Sequence, residues 1–294
     1  MAHRLETAPA PDDALLSDVA VALGAPIQGC EYVTSGAAGH IYRLALPDGG
    51  SVILKTARPD RPATFENEAA GLAHLAATNT VPVPQVLAVT PHFLVLQDLG
   101  TPAAPPTDEA WEVFGEQVGR MHSVTAPNFG YYHPDTHDVS RETDGQNWLD
   151  FYASERIVPL FDYMRNPEVL TDADRAGILR IIEKLGAQVP ATLPSLCHGD
   201  LWRENVHLGA DGLLYLIDPA IDYTHPEADL APTQMYEKFP PIFYEAYRRS
   251  HPLPENWVER LPLYQLKEIL YMTGQFAHED SLELLRKHIT EIGP

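Results

Sequence analysis

Residues 196–220 read LCHGDLWRENVHLGADGLLYLIDPA, and the spacing of three polar residues within them decides the fold. Asp200 follows a His-Gly pair, Asn205 comes five positions later, and Asp218 ends an apolar run. The turn signal GADG at 209–212 splits the stretch into two strand-length pieces, so a small hairpin is expected between Asn205 and Asp218. A lone His-Gly-Asp is an ordinary loop tripeptide, and Asp-Pro an ordinary turn. The combination says more. Phosphoryl transfer requires a carboxylate that orients or deprotonates the attacking hydroxyl, and oxygen ligands for a cation beside the phosphates. On this spacing Asp200 is the expected catalytic base, and Asn205 and Asp218 the expected Mg2+ ligands. Two protein ligands suffice, because Mg2+ keeps waters and phosphate oxygens for its remaining positions.

A phosphate donor, ATP, needs a site of its own. SVILKTA at 51–57 places Lys55 late in a strand, and FENEAAGL at 65–72 offers Glu66 and Glu68 in a first helical turn, with Glu68 the expected partner. Taken singly these are bland: a strand lysine often just blunts an edge, and an early helical acid complements the helix dipole. In this order ahead of 196–220 they predict a Lys-Glu pair holding the α- and β-phosphates. TSGAAGHIY at 34–42 is expected ahead of the first strand as a phosphate-covering turn, with Ser35, Gly36 and Gly39 presenting N–H groups, although two glycines also make an ordinary turn. In VLQDL at 95–99 the backbone around Gln97 and Leu99 is expected to meet the adenine.

YRLALPDGGSVILKTA contains two strand-like runs, Tyr42–Leu46 and Ser51–Lys55, about a PDGG turn. The Ala-rich helix that follows sets Phe65, Ala69, Leu72, Ala73 and Ala76 at helical spacing, and HFLVLQDL reads as a further strand. GTPAAPPT at 100–107 reads as a linker. Beyond it, Thr107 should cap a helix burying Trp111, Phe114, Val118 and Met121, and Thr171 a second helix that Gly186 stops. The expected organisation is α+β and bilobal, with a small β-rich lobe at 1–99, the linker, and a mostly helical lobe at 108–294: the outline of a protein-kinase-like fold.

The 294 residues carry 41 acidic and 20 basic side chains, a formal charge of −21. That balance argues against a nucleic-acid partner and against docking on anionic lipid. No run of about 18 apolar residues is present, and two cysteines are too few for a disulfide framework. The N-terminal stretch has no apolar core of the kind a secretory signal carries. A cytoplasmic monomer acting on a small-molecule substrate is the expectation.

With these residues in hand, the chain resembles the fructosamine (ketosamine) kinases, relatives of aminoglycoside phosphotransferases and choline kinases. The resemblance runs through FENEAAGLAHLAATNTVPVPQVLAV, HFLVLQDL, HGDLWRENV, LIDPAIDYTHPEADLA, FPPIFYEAYRRSHPL and LPLYQLKEILYMTGQF. It implies ATP and Mg2+, and an acceptor that is a glycated amine phosphorylated on its sugar hydroxyl in a deglycation role. It also implies that Trp202 faces that acceptor. Tyr223 and His225 either line the acceptor side or cap the next helix. The chain departs from the family pattern in its glycine-poor phosphate loop, at Arg203 and Glu204, and in the segment 129–147. That last departure, with the acidity, keeps another small-molecule acceptor open: an aminoglycoside, another antibiotic or an amino alcohol. Within that segment His133, Asp135 and His137 in HPDTH suggest metal ligands, though solvated loop residues give the same pattern.

Overall fold

The computed structural model describes residues 10–35, 39–57, 65–133, 138–139, 148–163, 169–235, 237–276 and 279–293. The chain divides into two compact units, Met1–Pro106 with His207–Asp218, and Thr107–Val206 with Pro219–Pro294.

The first unit begins with helix α1 (Asp13–Leu23), capped by the Asp12 carboxylate on the Leu15 amide at 2.7 Å. Five antiparallel strands follow, β1 (Gly29–Ser35), β2 (Gly39–Ala45), β3 (Ser51–Ala57), β4 (Val86–Val89) and β5 (Phe93–Gln97), arranged β1-β2-β3-β5-β4. Helix α2 (Phe65–Thr78) lies between β3 and β4 in sequence. The strand period of two decides what each face carries. Tyr42, Leu44, Val52, Leu54, Phe93 and Val95 bury against Val19 of α1. Leu94 and Leu96 bury against Phe65, Ala69 and Leu72 of α2, with Ile53 and Ala57 packed beside them. Because β5 is covered on both faces, four of its five residues are buried. Lys55 falls between Ile53 and Ala57 on the α2 face, and the pleat alone carries its amine toward that helix.

Some expectations need correction. The TSGAAGHIY turn does not precede the first strand: β1 comes before it, and the turn joins β1 to β2. Gly39 then opens β2 so close to β3 that a Cβ there would meet the Thr56 carbonyl oxygen at 1.7 Å. In α2, Gly71 and Leu75 occupy the buried stripe, while Ala73 and Ala76 face solvent. The hairpin expected in the helical lobe is present as β9 (Val206–Leu208) and β10 (Leu214–Leu216), numbered in chain order after the strands below, but 207–218 groups with the first unit. Backbone bonds explain this: the Ala210 amide donates to the Leu99 carbonyl at 2.8 Å and the Leu216 amide to the Pro82 carbonyl at 3.0 Å.

The second unit is mainly helical: α3 (Asp108–His122), α4 (Trp148–Phe151), α5 (Val158–Tyr163), α6 (Asp172–Gln188), α7 (Pro226–Leu230), α8 (Pro241–Ser250), α9 (Trp257–Phe276) and α10 (Glu279–Ile292). A π-helix, Tyr152–Ile157, joins α4 to α5. Thr107 caps α3, and Thr171 forms a reciprocal capping box with Asp174 at α6. Gly186 does not stop α6. The helix runs on to Gln188, and Gly186 leaves room for Leu149, which a Cβ would meet at 2.5 Å. The expected apolar stripe of α3 is buried, with Trp111 and Phe114 packed on Phe239 and on Phe243 of α8. A small sheet, β7-β6-β11-β8, brings together β6 (Gly130–His133), β7 (Asp138–Val139), β8 (Ser195–Cys197) and β11 (Asp222–Thr224). Among the described residues no helix is long and apolar enough to cross a membrane.

One carboxylate holds the end of β5. Asp98 accepts from Arg43 Nε at 2.6 Å, Ser51 Oγ at 2.6 Å and the Gly100 amide at 2.9 Å. Burial alone would raise its pKa, but the three bonds outweigh that and hold it below the usual carboxylate range. A group depressed in the folded state stabilises above its unfolded pKa and loses that contribution as the pH falls through the folded value. Asp98→Ala should therefore cost about 2 kcal/mol near neutral pH. Urea unfolding should show the gap between variant and parent closing as the pH drops below about 4.

Candidate active site

In the first unit the β3 lysine meets two carboxylates. Lys55 Nζ donates to Glu68 Oε1 at 2.7 Å and to Asp218 Oδ1, so the expected Lys-Glu pair is present and Asp218 joins it. Burial would lower the Lys55 pKa, but Asp218 and Glu68 together lift it, and the amine stays charged. Burial pushes Glu68 up to about 7, against the pull of Lys55 and with the repulsion of Asp218. Asp218 sits at the end of the hairpin in the left-handed region, φ 54°, a conformation costly for any residue but glycine. Its side chain keeps 43% of its surface exposed.

The remaining first-unit positions are placed as follows. The Ser35 hydroxyl lies 2.8 Å from both the Tyr32 hydroxyl and His40 Nδ1. Gln97 is exposed at the end of β5, its amide oxygen accepting from the Gln85 N–H at 3.2 Å. The Leu99 carbonyl is taken by Ala210. Gly36, Asp135, His137 and the His133 side chain lie outside the described residues, as does most of 134–147.

In the second unit β8 leads directly into the loop that bears Asp200. Asn205, on the single 3-10 turn Arg203–Asn205, donates through Nδ2 to the Asp200 carbonyl at 2.8 Å and to Asp200 Oδ2 at 2.8 Å. Both amide protons are thus committed to Asp200, and the atom left to face a cation is Oδ1. Burial raises the Asp200 pKa, and Glu268 adds to the rise, while Lys267 and the Asn205 bond pull against it. Trp202 is partly exposed, and Arg203 lies 5.3 Å from the Trp111 ring centre. Tyr223 is buried on β11, paired with Leu196 and Gly130, and His225 caps α7 by accepting from the Glu227 amide at 3.2 Å. Between the two readings of His225, the helix cap is the one observed.

The loop is clamped by residues to which the spacing assigned no role. Asp229 of α7 accepts from the His198 amide at 2.7 Å and the Gly199 amide at 2.9 Å, and Lys267 of α9 donates to the Gly199 carbonyl at 3.0 Å. The residue just before Asp200 is therefore held at both its N–H and its carbonyl. Gly199 adopts φ 81°, and a Cβ there would meet the Ala220 carbonyl oxygen at 2.0 Å, so only glycine fits. His122 stands behind Asp229, Nε2 to Oδ2 at 3.1 Å and Nδ1 to the Tyr247 hydroxyl at 2.7 Å. Burial would raise the Asp229 pKa, yet the bonds from His122 and the loop hold it below the usual range. His122, Cys197 and Asp229 cluster tightly enough to suggest a metal centre. The Asp229 oxygens are already spent on His122 Nε2 and the loop amides and His122 Nδ1 on Tyr247, and burial pushes the Cys197 thiol well above its ordinary pKa, away from the thiolate a metal takes.

A family model described as fructosamine kinase matches residues 14–292, nearly the whole chain. The chain belongs to the fructosamine kinase family. A probable ketoamine kinase of Pasteurella multocida is 31% identical over 263 residues, 86% of this chain and 90% of that one. A crystal structure assigned as a fructosamine-3-kinase from Thermobifida fusca superposes with a TM-score of 0.79 at 30% identity, covering 96% of this chain and all of that one. A macrolide 2′-phosphotransferase of Brachybacterium faecium, 18% identical with a TM-score of 0.65 over 95% of this chain and 98% of its own, shares the fold. The expected kinase-like α+β class is thereby confirmed. Membership makes the chain a kinase, and a kinase of this family uses ATP.

Asp229→Asn tests the clamp. An amide offers one oxygen where the carboxylate offers two, so one buried loop amide loses its partner, at about 1–3 kcal/mol. Hydrogen exchange at the His198 and Gly199 amides should accelerate beyond the change in global stability; unaltered protection at both would show that the loop is held by something else.

Proposed function

We propose that this fructosamine kinase homologue transfers the γ-phosphate of ATP to a sugar hydroxyl of a ketoamine, the adduct of a reducing sugar with an amine, as a step toward deglycation. The observation that carries the reading is the Asp200–Asn205 bond pair on the clamped loop. It orients a carboxylate whose remaining capacity can take a hydroxyl proton, and it frees one amide oxygen for a cation. In the proposed step Asp200 accepts the proton of the acceptor hydroxyl, the hydroxyl oxygen bonds to the γ-phosphorus, and the bond from that phosphorus to the bridging oxygen of ADP breaks.

Lys55, kept charged by its two carboxylates, is assigned to the α- and β-phosphates, with Glu68 fixing its amine. The Ser35 and Gly36 turn is assigned to the phosphate backbone and the chain around Gln97 and Leu99 to the adenine. Asn205 Oδ1 and the Asp218 carboxylate are hard oxygen donors of the type Mg2+ takes, and the strained φ of Asp218 is a cost that a ligand role explains. Mg2+ would supply charge neutralisation at the phosphates. Trp202 is assigned to the acceptor side, and Tyr223, buried, serves only as a wall behind it.

Incubation with Mg-ATP and fructosyl-lysine or ribulosyl-lysine should yield a phosphorylated acceptor by mass spectrometry, with EDTA stopping turnover and added Mg2+ restoring it. Asp200→Asn should lower kcat by roughly 10²–10⁴. No product from either sugar, with turnover of an antibiotic or amino alcohol instead, would transfer the reading to that acceptor class.

Lys55→Met is expected to raise the KM for ATP and reduce kcat, since the phosphates lose their cation. Its effect on acceptor KM should be small; the opposite pattern would remove Lys55 from the ATP side.

A further inference from the structure

Asn205 rides on the single 3-10 turn Arg203–Asn205, an element whose hydrogen bonds are poorer than those of an α-helix. Its backbone bonds are local: the Asn205 amide donates to the Trp202 carbonyl at 3.1 Å, and the Val206 amide to the Arg203 carbonyl. Val206 ends the segment Thr107–Val206 of the second unit, and 207–218 groups with the first. The Arg203 side chain ties this turn to a helix. Its Nη1 donates to the Val206 carbonyl at 3.0 Å, and its guanidinium carbon lies 5.3 Å from the centre of the Trp111 ring on α3. Arg203 thus engages both backbone polar groups of the residue that follows Asn205. Trp111 is a fixed platform, 6% exposed and packed on Phe114, Phe239 and Phe243 with ring centres at 6.0, 5.0 and 6.3 Å.

A further contact of the guanidinium is weaker. Nε lies 3.5 Å from Glu237 Oε1, but that carboxylate is 77% exposed, where water screens the pair. The ring contact and the carbonyl bond together call for a planar cation, with a face for the indole and an edge donor for the oxygen. A guanidinium has both, and an ammonium is a point charge that has neither. Position 203 is also one at which the chain departs from the family pattern, so the arrangement is a property of this chain. What it fastens bears directly on the transfer step. Asn205 spends both amide protons on Asp200 and keeps Oδ1 for a cation, so a shift of the turn displaces the base and the cation ligand at once.

We propose that Arg203 is a positioning residue for Asn205: braced on Trp111 and bonded to the Val206 carbonyl, it holds the side chain that orients Asp200 and offers Oδ1 to Mg2+. The inference rests on the roles proposed above for Asp200 and Asn205 and deepens them. It does not depend on which acceptor is phosphorylated. Arg203 touches no reacting atom in this assignment, and its whole effect passes through the geometry of the turn.

The test uses three variants of the full chain. Arg203→Lys keeps the charge and loses the plane, Arg203→Met keeps only an apolar stem, and Glu237→Gln removes the exposed ion pair alone. The dissociation constant of Mn2+ in the presence of ADP is read by electron paramagnetic resonance, and amide hydrogen exchange is followed at Asn205 and Val206. Steady-state constants with Mg-ATP and fructosyl-lysine and the thermal midpoint complete the set. Arg203→Lys and Arg203→Met should both weaken Mn2+ binding roughly tenfold or more and lower kcat by roughly 10–10², with acceptor KM within about twofold of the parent. Exchange at Asn205 and Val206 should accelerate beyond that of the buried α3 amides, and Glu237→Gln should match the parent throughout. A fall in midpoint with Mn2+ affinity and kcat unchanged makes Arg203 merely structural and overturns the inference. Parental values in Arg203→Lys overturn it as well, because a point charge would then suffice. So does a loss reproduced by Glu237→Gln, or a rise in acceptor KM alone. Failure of the unaltered chain to turn over fructosyl-lysine overturns the ketoamine reading, whereas Mn2+ affinity and exchange need no acceptor and decide this inference by themselves.

Discussion

The Asp229 carboxylate is the contact on which the loop bearing Asp200 depends. The segment between β8 and the 3-10 turn has no sheet or helix partner for its amides, and buried amides left unpaired would each cost as much as a lost hydrogen bond. Asp229 takes two of them at once, His198 and Gly199, and the Lys267 amine takes the Gly199 carbonyl. The loop gains its shape from side chains on α7 and α9 together with its own Gly199, where only glycine fits. With the Gly199 peptide fixed, the orientation of Asp200 is limited to its own side-chain torsions, and Asn205 then fixes those. General-base chemistry asks for this kind of restraint, because a misplaced carboxylate loses most of its advantage.

The scarcity of cations gives the same logic an electrostatic form. With 20 basic against 41 acidic side chains, a lysine or arginine removed from solvent has been committed to a particular place. Lys55, Arg156, Arg260 and Lys267 are among these inward-facing cations, and each is ion-paired with a carboxylate. Exposed pairs such as Arg249 with Glu112 and Glu116 contribute little by comparison, because water screens them. The excess acidity leaves the fold unexplained, yet it makes the few inward-facing cations easy to single out once coordinates exist.

What the sequence disclosed and what it withheld divide by range. Lys55 and Glu68 are 13 positions apart, and Asp200 and Asn205 five, so strand pleat, helix turn and motif spacing were enough to pair them. The caps at Thr107 and Thr171 were equally local. Strand β1 went unread because six of its seven residues are exposed and it carries no alternation. Gly186 misled because a glycine near a helix end has the same letter whether it terminates the helix or clears space for Leu149. In the Ala-rich α2 the apolar pattern could not tell Ala73 from Leu75 as the inward residue. Arg156 with Asp222 and Lys267 with Gly199 span 66 and 68 positions, and no local rule links residues so far apart.

That division bears on how such a family changes its substrate. A macrolide phosphotransferase shares this architecture at 18% identity, so the fold by itself does not select an acceptor. Of the groups assigned to ATP here, Lys55 and Glu68 pair across 13 positions, from a strand pleat and a helix turn, whereas Asp218 joins them from a hairpin end 163 positions after Lys55. The groups beside Asp200 on the second unit hang on a widened helical turn and on single contacts between distant elements. A substitution at Arg156 leaves the bonds of the loop clamp in place, because Asp229 and Lys267 hold Gly199 without it.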